Sequence, residues 1–267
     1  MEKLLTLNNG NIGYKTEGSG PCIVLLHGFL ESSDTWGGFS QKLSEYYTVI
    51  SPDLPGHGSS SVFGFDHPME FMASAVKAIL DAENIDSAVV CGHSMGGYVS
   101  LAFAKAYPGV MKGLILFHSH ASADSEEVKE NRLRTVKVVE ENKLGFITSF
   151  VPSLFSPANT ARLEGEITRL QEESKKTTTE GVTAALLGMR SRKSSLGLLT
   201  TAQYPVLFIS GKQDSRIPLD KALSQMVLPP HSEALILDNT GHMGFIEQPQ
   251  KTVSAVIGFT KRCFLHT

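Results

Sequence analysis

Cysteine is scarce in this chain, and its distribution does not suggest a scaffold held by disulfides or metal. The three cysteines, Cys22, Cys91 and Cys263, are odd in number and widely separated, with no C-x-x-C pair. A secreted disulfide framework normally shows an even set of cysteines, and a structural zinc site shows closely paired ligands. Neither is therefore expected here, and a reducing compartment fits the sequence.

Excess charge and long apolar runs are also lacking. The 24 basic and 27 acidic residues leave a net charge of −3, which is too small to favour nucleic acid or an anionic membrane surface. No uninterrupted apolar stretch could span a bilayer, and residues 1–14 lack the pattern of a signal peptide. We therefore expect a soluble cytoplasmic protein that binds neither nucleic acid nor membranes. Whether it is a monomer or a homodimer is left undetermined.

Hydrophobic residues make up 41% of the 267 residues, which is enough for a sizeable core. Short apolar runs alternate with helical patterns, as is typical of a parallel sheet flanked by helices. The run at 21–26 is almost continuously apolar, as expected for a strand that is buried on both faces. The other predicted strands are 47–51, 88–91, 113–117, 205–210 and 234–237, and the predicted helices are 38–45, 68–83, 95–107, 219–226 and 248–264.

This alternation stops between residues 120 and 200. The segment has no convincing strand and contains three helical stretches, at 125–144, 159–174 and 179–190. A stretch of some eighty residues is too long for one ordinary crossover between parallel strands. We therefore predict an α/β core formed by residues 1–119 and 201–267, with residues 120–200 inserted as a helical cap over one edge of the sheet.

Ser94 is the candidate nucleophile. Gly92-His93-Ser94-Met95-Gly96 fits the pattern G-x-S-x-G, directly after an apolar run and directly before a helical pattern. In such a strand-to-helix turn the serine is held in a strained conformation that exposes Oγ, and glycines are needed on either side. The following helix also places its positive end beside the nucleophile. Strand–turn–helix connections need glycines for other reasons as well. The position of Ser94 between a predicted strand and a predicted helix is therefore stronger evidence for a nucleophile than the pentapeptide itself.

His242 is the candidate general base, because a serine hydroxyl needs a base within hydrogen-bond reach. The predicted strand at 234–237 is followed by a turn-rich loop that ends in Gly241-His242. The other late histidines are less suitable, since His231 precedes this strand and His266 follows the final predicted helix.

Asp214 is the candidate acid that orients the imidazole. It lies in the loop after the predicted strand at 205–210. Aspartate is also common in such loops as a turn or cap residue, and two rivals exist. Asp124 follows the strand at 113–117 by seven residues, and Asp238 lies awkwardly close to His242 in the same loop.

Two backbone amides are predicted to form the oxyanion hole. Met95, directly after the nucleophile, supplies one, and Phe29, in the loop after the strand at 21–26, supplies the other. Gly28 and His118 are candidates for the substrate pocket. No metal is expected, because His118 and His120 have no third ligand at a matching spacing.

These motifs resemble the α/β-hydrolase superfamily along essentially the whole chain. The shared features are His27-Gly-Phe29, Asp53-Leu-Pro-Gly-His-Gly58, Gly92-His-Ser-Met-Gly-Gly97, Gly211 to Asp214 and Gly241-His242. The resemblance is strongest to the branch of esterases, enol-lactonases and carbon–carbon hydrolases, in which a helical cap follows the sixth strand. It implies an eight-stranded, mostly parallel sheet, no cofactor, and a triad of Ser94, Asp214 and His242.

The expected function is hydrolysis of a small to medium ester, thioester or lactone through an acyl-enzyme. Serine at position 94 argues against the dehalogenase and epoxide-hydrolase relatives, which carry aspartate there. Three alternatives keep the same triad: hydrolysis of a carbon–carbon bond, acyl transfer, and a ligand receptor with slow turnover. The residues do not identify the natural substrate.

Overall fold

The fold is built on an eight-stranded sheet within residues 1–265, the part of the chain that this computed structural model describes. The strands are β1 (Glu2–Leu7), β2 (Gly10–Glu17), β3 (Cys22–Leu26), β4 (Thr48–Pro52), β5 (Ala88–His93), β6 (Met111–Phe117), β7 (Val206–Gly211) and β8 (Ser232–Leu237). Their order in the sheet is β1-β2-β4-β3-β5-β6-β7-β8. The first two strands pair antiparallel, as do β2 and β4, and all other neighbours are parallel.

Helices surround the sheet and supply the crossovers. They are α1 (Gly37–Ser44), α2 (Met69–Ala82), α3 (Met95–Ala106), α4 (Glu126–Phe150), α5 (Glu164–Lys176), α6 (Thr179–Ser191), α7 (Leu196–Thr200), α8 (Leu219–Met226), α9 (Gly244–Glu247) and α10 (Pro249–Leu265). Every residue of β3, β5 and β7 is buried, because helices cover the parallel sheet and leave no solvated face there. None of the helices in residues 1–265 is both long and apolar enough to cross a lipid bilayer.

The N-terminal hairpin of β1 and β2 was not predicted from the sequence. Its first strand alternates between exposed and half-buried residues, so it has no continuous apolar run. The register pairs Leu7 with Gly10, which leaves a two-residue turn in which Asn8 has a φ of 52°. Asparagine tolerates this left-handed conformation, so the pair Asn8-Asn9 was the available signal for a hairpin.

Within the described residues, only helices occur between the sixth and seventh strands. α4 begins at Glu126, where the Ser125 side chain accepts a hydrogen bond from the Val128 amide, and it is kinked at Asn142. The helix extends to Phe150, six residues beyond the predicted end at 144. The kink turns the second half of α4 so that both halves reach the same cavity, which is described below.

Two glycines bring α6, a helix between the sixth and seventh strands, into close contact with loops of the rest of the chain. Gly181 and Gly188 lie seven residues apart in α6 and therefore share one face of the helix. A Cβ on Gly181 would overlap the carbonyl oxygen of Gly56, and a Cβ on Gly188 would overlap that of His67. The His67 amide also donates to the Ala184 carbonyl at 3.0 Å. The backbone of α6 thus lies directly on core loops.

We expect Gly188→Ala to lower the free energy of unfolding by about 2 kcal/mol, because the added methyl group must push α6 away from a rigid carbonyl. Gly197→Ala is the matched control, since a Cβ there meets nothing within 4 Å. Chemical denaturation of both variants measures the difference. Equal stability of the two would show that the close approach at residue 188 is not a structural requirement.

Candidate active site

The candidate site lies along the carboxyl ends of five neighbouring parallel strands. Loops that follow β3, β5, β6, β7 and β8 carry Phe29, Ser94, His118, Asp214 and His242, respectively. Because these strands are adjacent and parallel, their carboxyl ends meet at one edge of the sheet, where open α/β sheets place their ligands. The topology therefore gathers residues that are far apart in the chain.

Ser94 lies in a strained turn between β5 and α3. Its φ of 51° and ψ of −113° are unusual for a residue with a side chain. A Cβ on Gly92 would overlap the backbone of Gly96, and a Cβ on Gly96 would overlap the backbone of Leu26. Both glycines are therefore required by contact, as the sequence pattern predicted, and they allow α3 to begin directly after the serine.

The two residues predicted to supply backbone amides to an oxyanion hole are Met95 and Phe29. Met95 is the first residue of α3, where backbone N–H groups have no partner within the helix. Phe29 lines the same cavity as Ser94. The Phe29 loop is tight, since Leu30 has a φ of 64° and the Gly28 amide donates to the Glu31 carboxylate at 2.7 Å.

Asp214 and His242 are joined by a short hydrogen bond. Nδ1 of His242 lies 2.9 Å from both carboxylate oxygens of Asp214, and both side chains are almost completely buried. Amides of Arg216 and Ile217 donate to Oδ1 at 2.8 and 2.9 Å. Burial alone would raise the pKa of Asp214, but the two neighbouring histidines, His242 and His118, hold it well below its ordinary value. The carboxylate is therefore ionised.

The loops that carry Asp214 and His242 are bonded through their backbones. The Gln213 amide donates to the Thr240 carbonyl at 2.9 Å, and a Cβ on Gly211 would overlap the carbonyls of Thr240 and Gly241. Glycine at position 211 thus allows the two loops to approach closely. This contact brings the acid next to the imidazole.

His118 does not line the cavity and instead binds Asp214, which differs from the sequence expectation of a pocket residue. His118 has a left-handed backbone conformation, with a φ of 48°, and its ring is fully buried. Its Nε2 accepts from the Gly244 amide at 3.1 Å, so Nδ1 carries the proton and donates to Asp214 at 2.9 Å. Burial lowers the pKa of His118 to about 4 despite this carboxylate. His118 is therefore neutral near pH 7.

The buried pair His93–Glu31 connects the nucleophile turn to the oxyanion loop. Nδ1 of His93 lies 3.1 Å from the Glu31 carboxylate, and Nε2 donates to the His242 carbonyl at 2.9 Å. Both ring nitrogens therefore act as donors. Burial alone would lower the pKa of His93, but the Glu31 carboxylate leaves it raised.

Gly28, which was also a pocket candidate, contributes its amide to Glu31 and is not among the cavity-lining residues of the described chain.

Glu247 holds the His242 loop against the cap. One of its carboxylate oxygens accepts from the amides of Gly241 and Met243, at 2.8 and 3.3 Å. The other accepts from the Ser156 amide at 2.9 Å and from Asn159 Nδ2 at 2.7 Å. The His242 amide itself donates to the Leu154 carbonyl, at 2.6 Å. Sequence reasoning missed this residue, because its partners come from two distant segments.

Ser94 and His242 face a common cavity of about 270 Å³. Its walls are mostly apolar, and its lining also includes Glu31 and two arginines. A cavity of this size is near the lower end of those that hold small molecules. The site therefore combines a serine, a buried imidazole–carboxylate pair and enclosed space.

The two rival acids lie elsewhere. Asp124 forms ion pairs with Arg132 and Arg192, and Asp238 is exposed and pairs with Lys212. His118, Asp214 and His242 offer ligand atoms within 4.8 Å of one another. Hydrogen bonds account for this closeness, because Nδ1 of each histidine faces the Asp214 carboxylate.

Comparison with known proteins gives a match over most of the chain. A family model described as alpha/beta hydrolase fold matches residues 21–249. An esterase from Thermogutta terrifontis, solved with malate bound, has a TM-score of 0.93 and 29% identity, covering 98% of this chain and 99% of that one. The enol-lactonase from Burkholderia xenovorans has a TM-score of 0.89 at 21% identity, covering 96% and 99%, and shows the fold alone. The fold class expected from the sequence is therefore confirmed.

Curated relatives include an esterase as well. A pimeloyl-[acyl-carrier protein] methyl ester esterase from Aromatoleum aromaticum is 27% identical over 244 residues, which is 86% of this chain and 94% of the relative. Uncharacterized proteins from Mycobacterium tuberculosis and Mycobacterium bovis are 37% identical over 111 residues, or 42% of this chain. The matched segment spans only 33% of the length of these mycobacterial relatives.

We expect Glu31→Gln to lower kcat on an ester substrate by about 10-fold while KM changes little. Gln can still accept hydrogen bonds but lacks the carboxylate charge that keeps the pKa of His93 raised, so the link between the oxyanion loop and the nucleophile turn is weakened. Complete removal of one oxyanion donor costs about 10²–10³-fold in other enzymes. Steady-state kinetics with Glu166→Gln, a change on the cap surface, as the control would measure the effect. An unchanged kcat in Glu31→Gln would contradict the positioning role of this pair.

His118 also predicts how stability depends on pH. Its folded-state pKa, about 4, lies below the ordinary value of 6.5, so the unfolded chain binds the extra proton first. The contribution of His118 to the free energy of unfolding is therefore complete above about pH 6.5 and is lost as the pH falls toward 4. At pH 5 the loss from this one group is about 2 kcal/mol. His57 and His120, whose pKa values burial lowers to about 3, add to the same trend.

We therefore expect His118→Gln to reduce the difference in unfolding free energy between pH 7.5 and pH 5 by about 2 kcal/mol. Urea denaturation at the two pH values measures this difference. His231→Gln, which removes an exposed histidine, is the control variant. A His118→Gln variant with the full pH dependence would show that His118 is not buried in its neutral form.

Proposed function

The chain belongs to the α/β-hydrolase fold family, and we propose that it is a serine hydrolase that cleaves a carboxylic ester, thioester or lactone of small to medium size. Ser94 is the nucleophile, His242 the general base and Asp214 the acid that orients the imidazole. The single observation that carries this proposal is geometric. Ser94, in a strained turn, shares a cavity with His242, whose Nδ1 lies 2.9 Å from the buried Asp214 carboxylate.

In this proposal each proton transfer has a defined donor and acceptor. Asp214 accepts from Nδ1 of His242, so Nε2 is the ring nitrogen that acts as the base. Ser94 Oγ transfers its proton to Nε2 as it attacks the carbonyl carbon, and the leaving alcohol or thiol takes that proton from the imidazolium. Water then attacks the acyl-enzyme while Nε2 of His242 takes its proton, and the imidazolium returns that proton to Ser94 Oγ as the ester bond breaks and the acid is released.

The negative charge of the tetrahedral intermediate falls on the former carbonyl oxygen. In this proposal the amides of Met95 and Phe29 donate to that oxygen, supported by the positive end of α3. The triad chemistry uses no cofactor. The three buried free cysteines fit the proposal of a cytoplasmic location, and carbon–carbon hydrolysis, acyl transfer and ligand reception remain alternatives that share the triad.

We expect Ser94→Ala to lose at least about 10⁴-fold in kcat on p-nitrophenyl esters, because the nucleophile is removed while the cavity is retained. The variant should also fail to react covalently with a fluorophosphonate probe, as measured by intact mass. Ser224→Ala, a change on α8 away from the cavity, is the control and should keep both activities. Labelling of Ser94→Ala at the wild-type rate would refute the assignment.

A further inference from the structure

The cavity beside Ser94 is apolar on most of its wall and basic at two positions. Phenylalanines, leucines and a methionine form the apolar part, and the charged side chains in its lining are Glu31, Arg132 and Arg216. Glu31 is already paired with His93, so it contributes little net negative charge. The two arginines are therefore the groups whose charge is not used by the proposed catalytic machinery.

Arg132 lines the cavity from α4, and one of its donors, Nη1, has a weak acceptor. Nε donates to Asp124 at 2.5 Å, and Nη2 lies 3.4 Å from the same carboxylate. Among the described residues, Nη1 donates to the sulfur of Met189 at 3.3 Å. A thioether sulfur is a weak acceptor, and the side chain is only 17% exposed. A substrate oxygen at this position would satisfy Nη1 much better than the sulfur does.

Asp124 cannot neutralise Arg132 by itself, because it also pairs with Arg192 at 2.7 Å. The Arg192 guanidinium stacks on the Tyr98 ring, 3.8 Å from its centroid, and Tyr98 also lines the cavity. Two guanidinium groups thus share one carboxylate. Lys221 lies near the same cluster, and its pKa is lowered by burial and by both arginines. The cap side of the cavity therefore has an excess of positive charge.

Arg216 supplies the second positive charge from the core. It follows the Asp214 loop, packs 4.5 Å from the centroid of the Phe150 ring and bonds to Ser153 Oγ. The acidic group next to it, Asp214, is already occupied by two histidines and two backbone amides. Arg132, in α4, and Arg216, in the loop after β7, therefore line the same cavity. The described lining of this cavity contains no unpaired carboxylate.

We propose that the substrate carries a carboxylate, separate from the scissile ester, that binds Arg132 and Arg216. This rests on the proposed serine hydrolase function. Guanidinium groups match carboxylates in geometry and stay charged when partly buried. The apolar walls bind the hydrocarbon chain between the two ends of the substrate. For an ester substrate, the class is thus a half-ester of a dicarboxylic acid.

The test compares two six-carbon acyl groups that differ only in the terminal charge. The probes are 4-nitrophenyl hydrogen adipate and 4-nitrophenyl hexanoate, with Ser94→Ala giving the background rate. The wild type should prefer the adipate half-ester in kcat/KM. Arg132→Gln and Arg216→Gln should each lower kcat/KM for the half-ester by about 10- to 100-fold, as expected for a lost hydrogen bond to a charged group, and change that for hexanoate by less than about 3-fold.

Arg169→Gln is the matched control, since it removes an arginine from the cap surface outside this cavity. It should leave both substrates unaffected. The Arg132→Gln variant loses an ion pair with Asp124 and could be unstable for that reason. Arg216→Gln removes an exposed side chain, so it tests the inference independently of that ion pair. A wild-type preference for hexanoate, or equal losses on both substrates in folded variants, would overturn the inference. Hydrolysis of hexanoate that persists in Ser94→Ala would instead refute the proposed function.

Discussion

The buried charge of Asp214 is the constraint on which the rest of the site depends. Its side chain is 1% exposed, and an ion in such a position is costly unless donors surround it. The donors come from three connections of the sheet: His118 after β6, the amides of Arg216 and Ile217 after β7, and His242 after β8. These strands must pair in their observed register for the carboxylate to be satisfied. The geometry that orients His242 is therefore also part of what makes this edge of the sheet stable.

The segment between β6 and β7 is hydrogen-bonded to this arrangement. Leu154 accepts from the His242 amide, and Glu247 bonds to both the His242 loop and the segment at 156–159. Movement of that segment would leave several buried amides without partners, at about 1–3 kcal/mol each. These hydrogen bonds therefore hold the segment at 156–159 against the loop that carries His242.

The sequence predicted the residues whose signals are local. A glycine-flanked serine after an apolar run, and a histidine and an aspartate in loops after later runs, were sufficient to propose Ser94, His242 and Asp214. Glu31 and Glu247 were not predicted, since their roles depend on partners that only the folded sheet brings close. Glu31 lies 62 positions from His93, and Glu247 lies 91 from Ser156. His118 was noticed for its place after a strand, but its left-handed backbone conformation, which determines what the ring contacts, has no signature in its residue type.

The difference between local signals and contacts made only in the folded chain also explains what could be predicted about residues 120–200. Helical periodicity gave the number of its long helices, since each has its own apolar pattern. It could not give the kink at Asn142 or the seating of Gly181 and Gly188 on core carbonyls, because these depend on the surface that the core presents. The charge excess around Arg132 is likewise a property of the assembled structure. From the sequence alone, Asp124 was a rival for the catalytic acid, and its two arginine partners were not visible.

Electrostatics near His242 shows why Glu31 matters beyond holding a loop. The His93 ring lies 4.9 Å from the His242 ring, centroid to centroid, and carries a raised pKa. A lone cation at this distance would oppose the imidazolium that forms on His242 when Ser94 gives up its proton. The Glu31 carboxylate, 3.1 Å from His93, cancels most of that charge at its source. The buried pair therefore lets His93 donate to the His242 carbonyl and fix the loop, while the imidazolium at His242 is stabilised by Asp214.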